Sequence, residues 1–386
     1  LEMLMAGSVV SKYWGVYLNQ FFELIGWNIN TNIAIGSFNF DLAPVIIVAF
    51  FTALLVMGTK IGARVDGALT ILKIAIVVFI VVVGFFYIKA ENFTPFIPPS
   101  EPAASTDGPG VSAVMEQPLW QWATGMAPSI YGVTGIISGA ALVFFAFLGF
   151  DVVATASEET INPKKNVPLG IGVGLGLIIV LYTLVAIVTT GMVSYKDLAK
   201  QSDPSLAVAF KMVGADWAAK IISLGIVIGM ATVVMVLLLG LTRVVFAMSR
   251  DGLLPRGLSH TGKHGTPVRL QIIVGVVMAL IAACCNVGIL SDMVNIGTLS
   301  AFTLVAISIP IMRKKRPDLE RSFKIPGNPW VPILIALANL WLMVNLSVLT
   351  WIRFVVWLIV GFAIYFGYGY RHARLGAGEL EVAAQE

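Results

Sequence analysis

The chain has 386 residues, of which 58% are hydrophobic and only 12% charged, with 25 Lys and Arg against 21 Asp and Glu for a net charge of +4. Such a charge content cannot cover a soluble globule, and with a mean hydropathy of +0.90 it points to an integral, polytopic, all-α membrane protein. The pI near 9.0 does not indicate nucleic acid, because the basic residues sit in short loops between apolar spans, where membrane topology accounts for them.

Read in order, residues 3–25 form a first apolar span. Leu1 is not a start residue and nothing like a signal peptide precedes it, so the N-terminus reads as cut. Lys12 and Glu23 fall inside this span, where long charged side chains snorkel to the interface or pair there. Residues 43–58 make a second span that is short, since at a rise of about 1.5 Å per residue a bilayer core needs roughly 20 residues. The third, 67–88, follows Asp66, a good N-cap residue, and carries a single charge, Lys73. Burial disfavours an ammonium and lowers its pKa, which makes such a lysine a reversible proton site. Six residues into the predicted span, it can instead snorkel to the cytoplasmic face, the reading that chemistry alone favours.

Residues 91–131 read as a loop rich in Pro, Ser and Gly, with Trp120 and Trp122 as interfacial anchors. The fourth span, 132–156, is the most informative. Its run Phe144-Phe145-Ala146-Phe147-Leu148-Gly149-Phe150-Asp151 sets a glycine and a carboxylate into a segment otherwise suited to lipid. Helices broken at membrane depth are tolerated only where the freed backbone groups are buried in protein or line a cavity, and in secondary transporters such breaks hold substrate and coupling ions. The plainer reading is a glycine packing contact followed by an aspartate capping a last turn. The residues alone leave the two level.

The fifth span, 169–192, opens on Gly170, Gly172, Gly174 and Gly176, a small-residue face for helix packing; the lysine and strand context of a phosphate loop are missing. Residues 194–216 are polar, and Asp203-Pro204 is expected to start a short surface helix ending near Gly214, over the outer mouth. The sixth span, 221–248, holds Thr232 beside Ala231 and Gly229; a hydroxyl there commonly bonds back to its own helix. Four further spans follow at 270–288, 293–312, 331–349 and 354–370. Cys284 and Cys285 are adjacent in an apolar run, which suggests packing, with no disulfide, metal site or cofactor implied. One set of loops and the C-terminus carries sixteen Lys and Arg, among them Lys164, Arg250 and Arg313 to Arg316, against five on the other side. That bias puts the first set, and the C-terminus, in the cytoplasm.

The FFAFLGFD run, with Glu158-Glu159, Asn162-Pro163 and Pro168 after it, resembles the sixth helix and following loop of the amino acid/polyamine/organocation permeases. Arg243 to Pro255, RVVFAMSRDGLLP, is similar to the end of that family's eighth helix. The resemblance runs from about Leu1 to the last span and is nearest to the bacterial cationic-amino-acid-transporter-like branch. It implies a bundle of the five-plus-five inverted-repeat transporter fold, here matching the family's third to twelfth helices and lacking the first two. It further implies proton-coupled transport of an amino acid across the cytoplasmic membrane, by alternating access around the broken helix.

On that resemblance Phe145, Ala146, Phe147, Leu148 and Gly149 are the substrate-binding candidates, with open backbone carbonyls for a substrate ammonium and apolar walls. Lys73 matches the fifth-helix lysine that takes the place of a bound ion in proton-coupled members. Of the family's Thr-Ser pair facing that site, only Thr232 carries over. The family's first helix, whose backbone N–H groups hold the substrate carboxylate, has no counterpart here, so a non-transporting membrane scaffold or partner fragment is the alternative. An enzyme is not expected: His260, His264 and His372 all fall in polar loops, and no nucleophile, base and orienter come together.

Overall fold

A segment crossing lipid has to satisfy its own backbone hydrogen bonds, so each apolar run is driven into helix. The computed structural model describes residues 2–27, 29, 31–35, 38–58, 63–102, 115–127, 129–150, 153, 160–201, 204–260, 266–318, 321 and 324–373. One helix falls on each apolar run: α1 (Glu2–Leu24), α2 (Leu42–Val56), α3 (Ala63–Phe85), α4 (Gly132–Val143), α5 (Pro163–Met192), α6 (Asp216–Arg250), α7 (Val268–Cys284), α8 (Val287–Lys315), α9 (Trp330–Val344) and α10 (Val348–Ile364). Five of these, α3, α5, α6, α8 and α10 with its continuation to Gly369, are long and apolar enough to cross a membrane by length and composition. The helices α2, α7 and α9 are apolar but shorter. Outward positions on α3, α5 and α10, such as Ile71, Val173 and Ile359, are exposed and apolar, a surface that belongs in hydrocarbon.

Several boundaries differ from expectation. The helix α3 begins at Ala63, so Asp66 lies in its first turn rather than at its cap. The helix α5 begins at Pro163, whose fixed φ suits a first turn, and it continues through Pro168. Before α6 there are two short helices, Tyr195–Ala199 and Leu206–Met212. The second is capped by Ser205, which accepts from the Val208 N–H at 3.2 Å; Asp203 lies outside the described residues. The connections also hold two antiparallel ribbons, Asn32–Ile35 with Phe38–Asp41 and Glu101–Pro102 with Ser129–Ile130, a small departure from an all-α chain. Backbone that leaves a helix still needs partners, and the ribbons supply them.

The core has four apolar clusters among the described residues, with α6 running through three of them. Trp14, Val48, Leu238 and Met278 join α1, α2, α6 and α7. Ile80, Val188, Phe210 and Ile222 join α3, α5, the short Leu206–Met212 helix and α6. Ala141, Ile296, Leu299, Met343 and Phe354 join α4, α8, α9 and α10. A fourth, smaller cluster of Ala6, Leu237 and Val294 lies where α1, α6 and α8 meet, and the broken end of α4 packs onto it.

Candidate functional site

The helix α4 ends at Val143 with no proline to stop it. Phe144–Phe147 tighten into a 3-10 turn, Leu148 is extended (φ −67°, ψ 149°) and Gly149 has φ +114°. That φ is open to glycine and closed to most residues with a Cβ. A Cβ built at Gly149 meets no atom of the described residues within 4 Å, so among them the demand for glycine is conformational. Asp151, Glu158 and Glu159 lie outside the described residues.

Three neighbours hold the break. From α5, the Tyr182 hydroxyl donates to the Ala146 carbonyl at 3.0 Å, and its ring meets Phe147 edge-on at 5.3 Å. From α8, fully buried Asn295 donates its Nδ2 to the Leu142 carbonyl at 3.2 Å. Phe302, also on α8, packs against Phe144 at 6.1 Å and Phe150 at 5.1 Å. Phe145 and Leu148 sit on the Ala6, Leu237 and Val294 cluster. Of the five substrate-binding candidates, Ala146 is exposed and Phe145, Phe147, Leu148 and Gly149 are half-buried. The carbonyls are less open than the sequence suggested: that of Phe145 accepts the Leu148 N–H at 3.2 Å and that of Ala146 the Tyr182 hydroxyl. A carbonyl oxygen has two lone pairs, so each can still take a second donor.

Lys73 lies deeper along α3 than its predicted span implied, because the helix starts at Ala63; ten residues is about 15 Å of helix. The side chain is half-buried, and its stem runs over Gly229 of α6, where an added Cβ would lie 3.3 Å from Lys73 Cγ. Ile76 crosses Gly225 in the same way, at 2.5 Å. Gly225 and Gly229 thus form a small-x-x-x-small crossing for α3. Buried Thr232 donates its hydroxyl to the Gly229 carbonyl at 2.8 Å, the back-bond anticipated for it. Lysine and hydroxyl therefore meet at one glycine. Val233 and Leu237 follow Gly229 at four-residue steps on one face of α6, and both belong to the packing around the Ala6 cluster that also takes Phe145 and Leu148.

A cavity of about 800 Å³ reaches along α4 from Tyr131 to Leu142 and is also lined by Ile187, Asp292 and Asn345. At its rim Lys196 is 2.8 Å from Glu101 and 5.2 Å above the Tyr131 ring. The hydrogen bond it donates to the Glu101 carboxylate holds the Lys196 ammonium above its ordinary pKa of 10.5. What this tie contributes is present below that value and lost only as pH rises through the raised one, so nothing that titrates near neutrality originates there. Lys12 and Glu23 of α1 have structural partners. Glu23 pairs with Lys211 at 3.1 Å, and Lys12 donates to the Cys285 carbonyl at the end of α7, where a helix dipole favours a cation.

Tyr182, Asn295, Phe302 and Gly225 were not singled out in the sequence. The signals available were a lone amide and a lone phenol inside apolar spans and the Gly225/Gly229 spacing.

A bundle of apolar helices with lipid-suited exteriors, one of them broken within the bundle, is the architecture of a multi-pass membrane transporter. Residues 3–367 match the amino acid permease family, and the chain belongs to it. It is 39% identical to the branched-chain amino acid permease BcaP of Bacillus subtilis, over 97% of this chain and 75% of that protein. To the methylthioribose transporter of the same organism it is 38% identical, again over 97% and 75%. Cationic amino acid transporter 3 of Arabidopsis thaliana is 34% identical over 72% of this chain and 42% of its own length. The protein is an amino acid transporter and not an enzyme.

Proposed function

We propose that the protein is a proton-coupled permease for amino acids with apolar side chains, working by alternating access about the break in α4. The bundle is read as the five-plus-five inverted-repeat fold of the family without its first two helices, its ten spans matching the third to twelfth, with the basic loops and C-terminus in the cytoplasm. In this reading Phe145 to Gly149 hold the substrate: carbonyls of the 3-10 turn accept its ammonium, and Phe145, Phe147 and Leu148 face its side chain. An apolar wall suits aliphatic side chains better than cationic ones. The similarity to BcaP, whose name specifies branched-chain amino acids, supports the same class.

The observation that carries the coupling is the placement of Lys73 over Gly229, beside Thr232, on the α6 face that continues toward the break. An ammonium there neutralises nearby carbonyl dipoles as a bound monovalent cation does, and it can also shed its proton. Protonation from one side and release to the other would then bias the two arrangements of the bundle. The test is uptake of labelled isoleucine into proteoliposomes with and without an inward proton gradient, with lysine as competitor. Lys73→Ala is expected to keep substrate binding and lose gradient-driven accumulation; accumulation by the variant would remove Lys73 from the coupling role. Stronger competition by lysine than by leucine would overturn the substrate class.

A further inference from the structure

We infer that Tyr182 and Asn295 are a pair of positioning residues, a clasp from α5 and α8 that holds the break of α4 in its binding geometry. The inference deepens the reading of residues 145–149 as the substrate site and rests on it. A helix that stops inside an apolar bundle leaves carbonyls without their usual N–H partners, and each such group costs free energy if buried unmet. Here two side-chain donors from different helices reach carbonyls on either side of the turn's start. Asn295 Nδ2 donates to the Leu142 carbonyl, which also accepts the Phe144 N–H, and the Tyr182 hydroxyl donates to the Ala146 carbonyl within the 3-10 turn. Between these two points lie Val143, Phe144 and Phe145, and just beyond them the extended Leu148 and the left-handed Gly149.

The geometry is specific to donors. Asn295 is fully buried, and its Oδ1 has no hydrogen-bond partner among the described residues. Retaining an amide there at the cost of one unmet acceptor points to the donor half as the needed half. Tyr182 adds its ring against Phe147 to its hydroxyl on Ala146, so one side chain fixes both a wall of the site and the carbonyl beside it. Because α5 and α8 are different helices, a shift of either pulls on the 3-10 turn. The clasp is thereby a route by which bundle movement reaches the substrate's acceptors.

Two readouts in nanodiscs separate the clasp from the substrate reading. The variants are Tyr182→Phe, which keeps the ring and drops the hydroxyl, and Asn295→Leu, which keeps the volume and drops the donor. Hydrogen exchange of the 144–149 amides without substrate is expected to quicken about fivefold or more in each. The Kd for labelled isoleucine is expected to weaken about five- to tenfold in each, and in the double variant by less than the product, because both act on one break. Exchange within about twofold of the parent in both variants, or multiplicative losses of affinity, would overturn the clasp. Faster exchange with unchanged Kd supports the clasp and overturns the placing of substrate at the break. Each variant is read by itself, so failure of one to reach the membrane leaves the other to decide.

Discussion

Replacing Gly149 separates conformation from volume at the break. Its φ of +114° is one that a Cβ makes costly, and no atom of the described residues lies within 4 Å of where that Cβ would be. Holding a non-glycine residue in such a region costs about 1–3 kcal/mol, which corresponds to roughly 5- to 150-fold in affinity if binding requires the break. The loss is expected to be nearly equal for Gly149→Ala and Gly149→Leu if the requirement is conformational, since both meet the same backbone penalty. Gly149→Asn should lose less, because asparagine enters positive φ more readily. Equilibrium binding of labelled isoleucine to the purified protein in nanodiscs measures all three. Binding by Gly149→Ala within about twofold of the parent, about 0.4 kcal/mol, would refute the conformational argument. A leucine variant far weaker than the alanine one would show that volume, not φ, sets the requirement.

The α3–α6 crossing gives two more tests. Gly229→Ala places a methyl 3.3 Å from Lys73 Cγ, so the lysine stem must give by a few tenths of an ångström; proton-driven uptake is expected to fall with Kd held, and unchanged uptake would dissociate Lys73's position from coupling. Gly225→Leu meets Ile76 from 2.5 Å and should cost on the order of 1–3 kcal/mol by overpacking, read as a lower melting temperature. For topology, single cysteines at Lys315 and at Ser105, the latter outside the described residues, in a background without Cys284 and Cys285, should label from opposite sides with an impermeant thiol reagent. Labelling of both from one side would end the ten-span arrangement.

The sequence by itself determined the class and the approximate position of each helix. Those features are local, since hydrophobicity over a bilayer's thickness needs no partner to be read; Gly149 after Phe144-Phe145-Ala146-Phe147-Leu148 marked a candidate break, but the residues alone left it level with a packing glycine. Boundaries drifted where the deciding interaction lay outside the apolar window, as with Pro163 starting α5 and Ala63 starting α3. What only the tertiary structure decided is who meets whom. Nothing in the spacing of Lys73 and Thr232, more than 150 residues apart, says that they share Gly229, because that depends on how two helices cross. Nor does a lone Tyr182 or Asn295 disclose that its partner is a carbonyl of α4. The freed carbonyls of a broken helix could be inferred from the chain, but their donors come from α5 and α8, and hydrogen bonds between helices are set by packing rather than by sequence order.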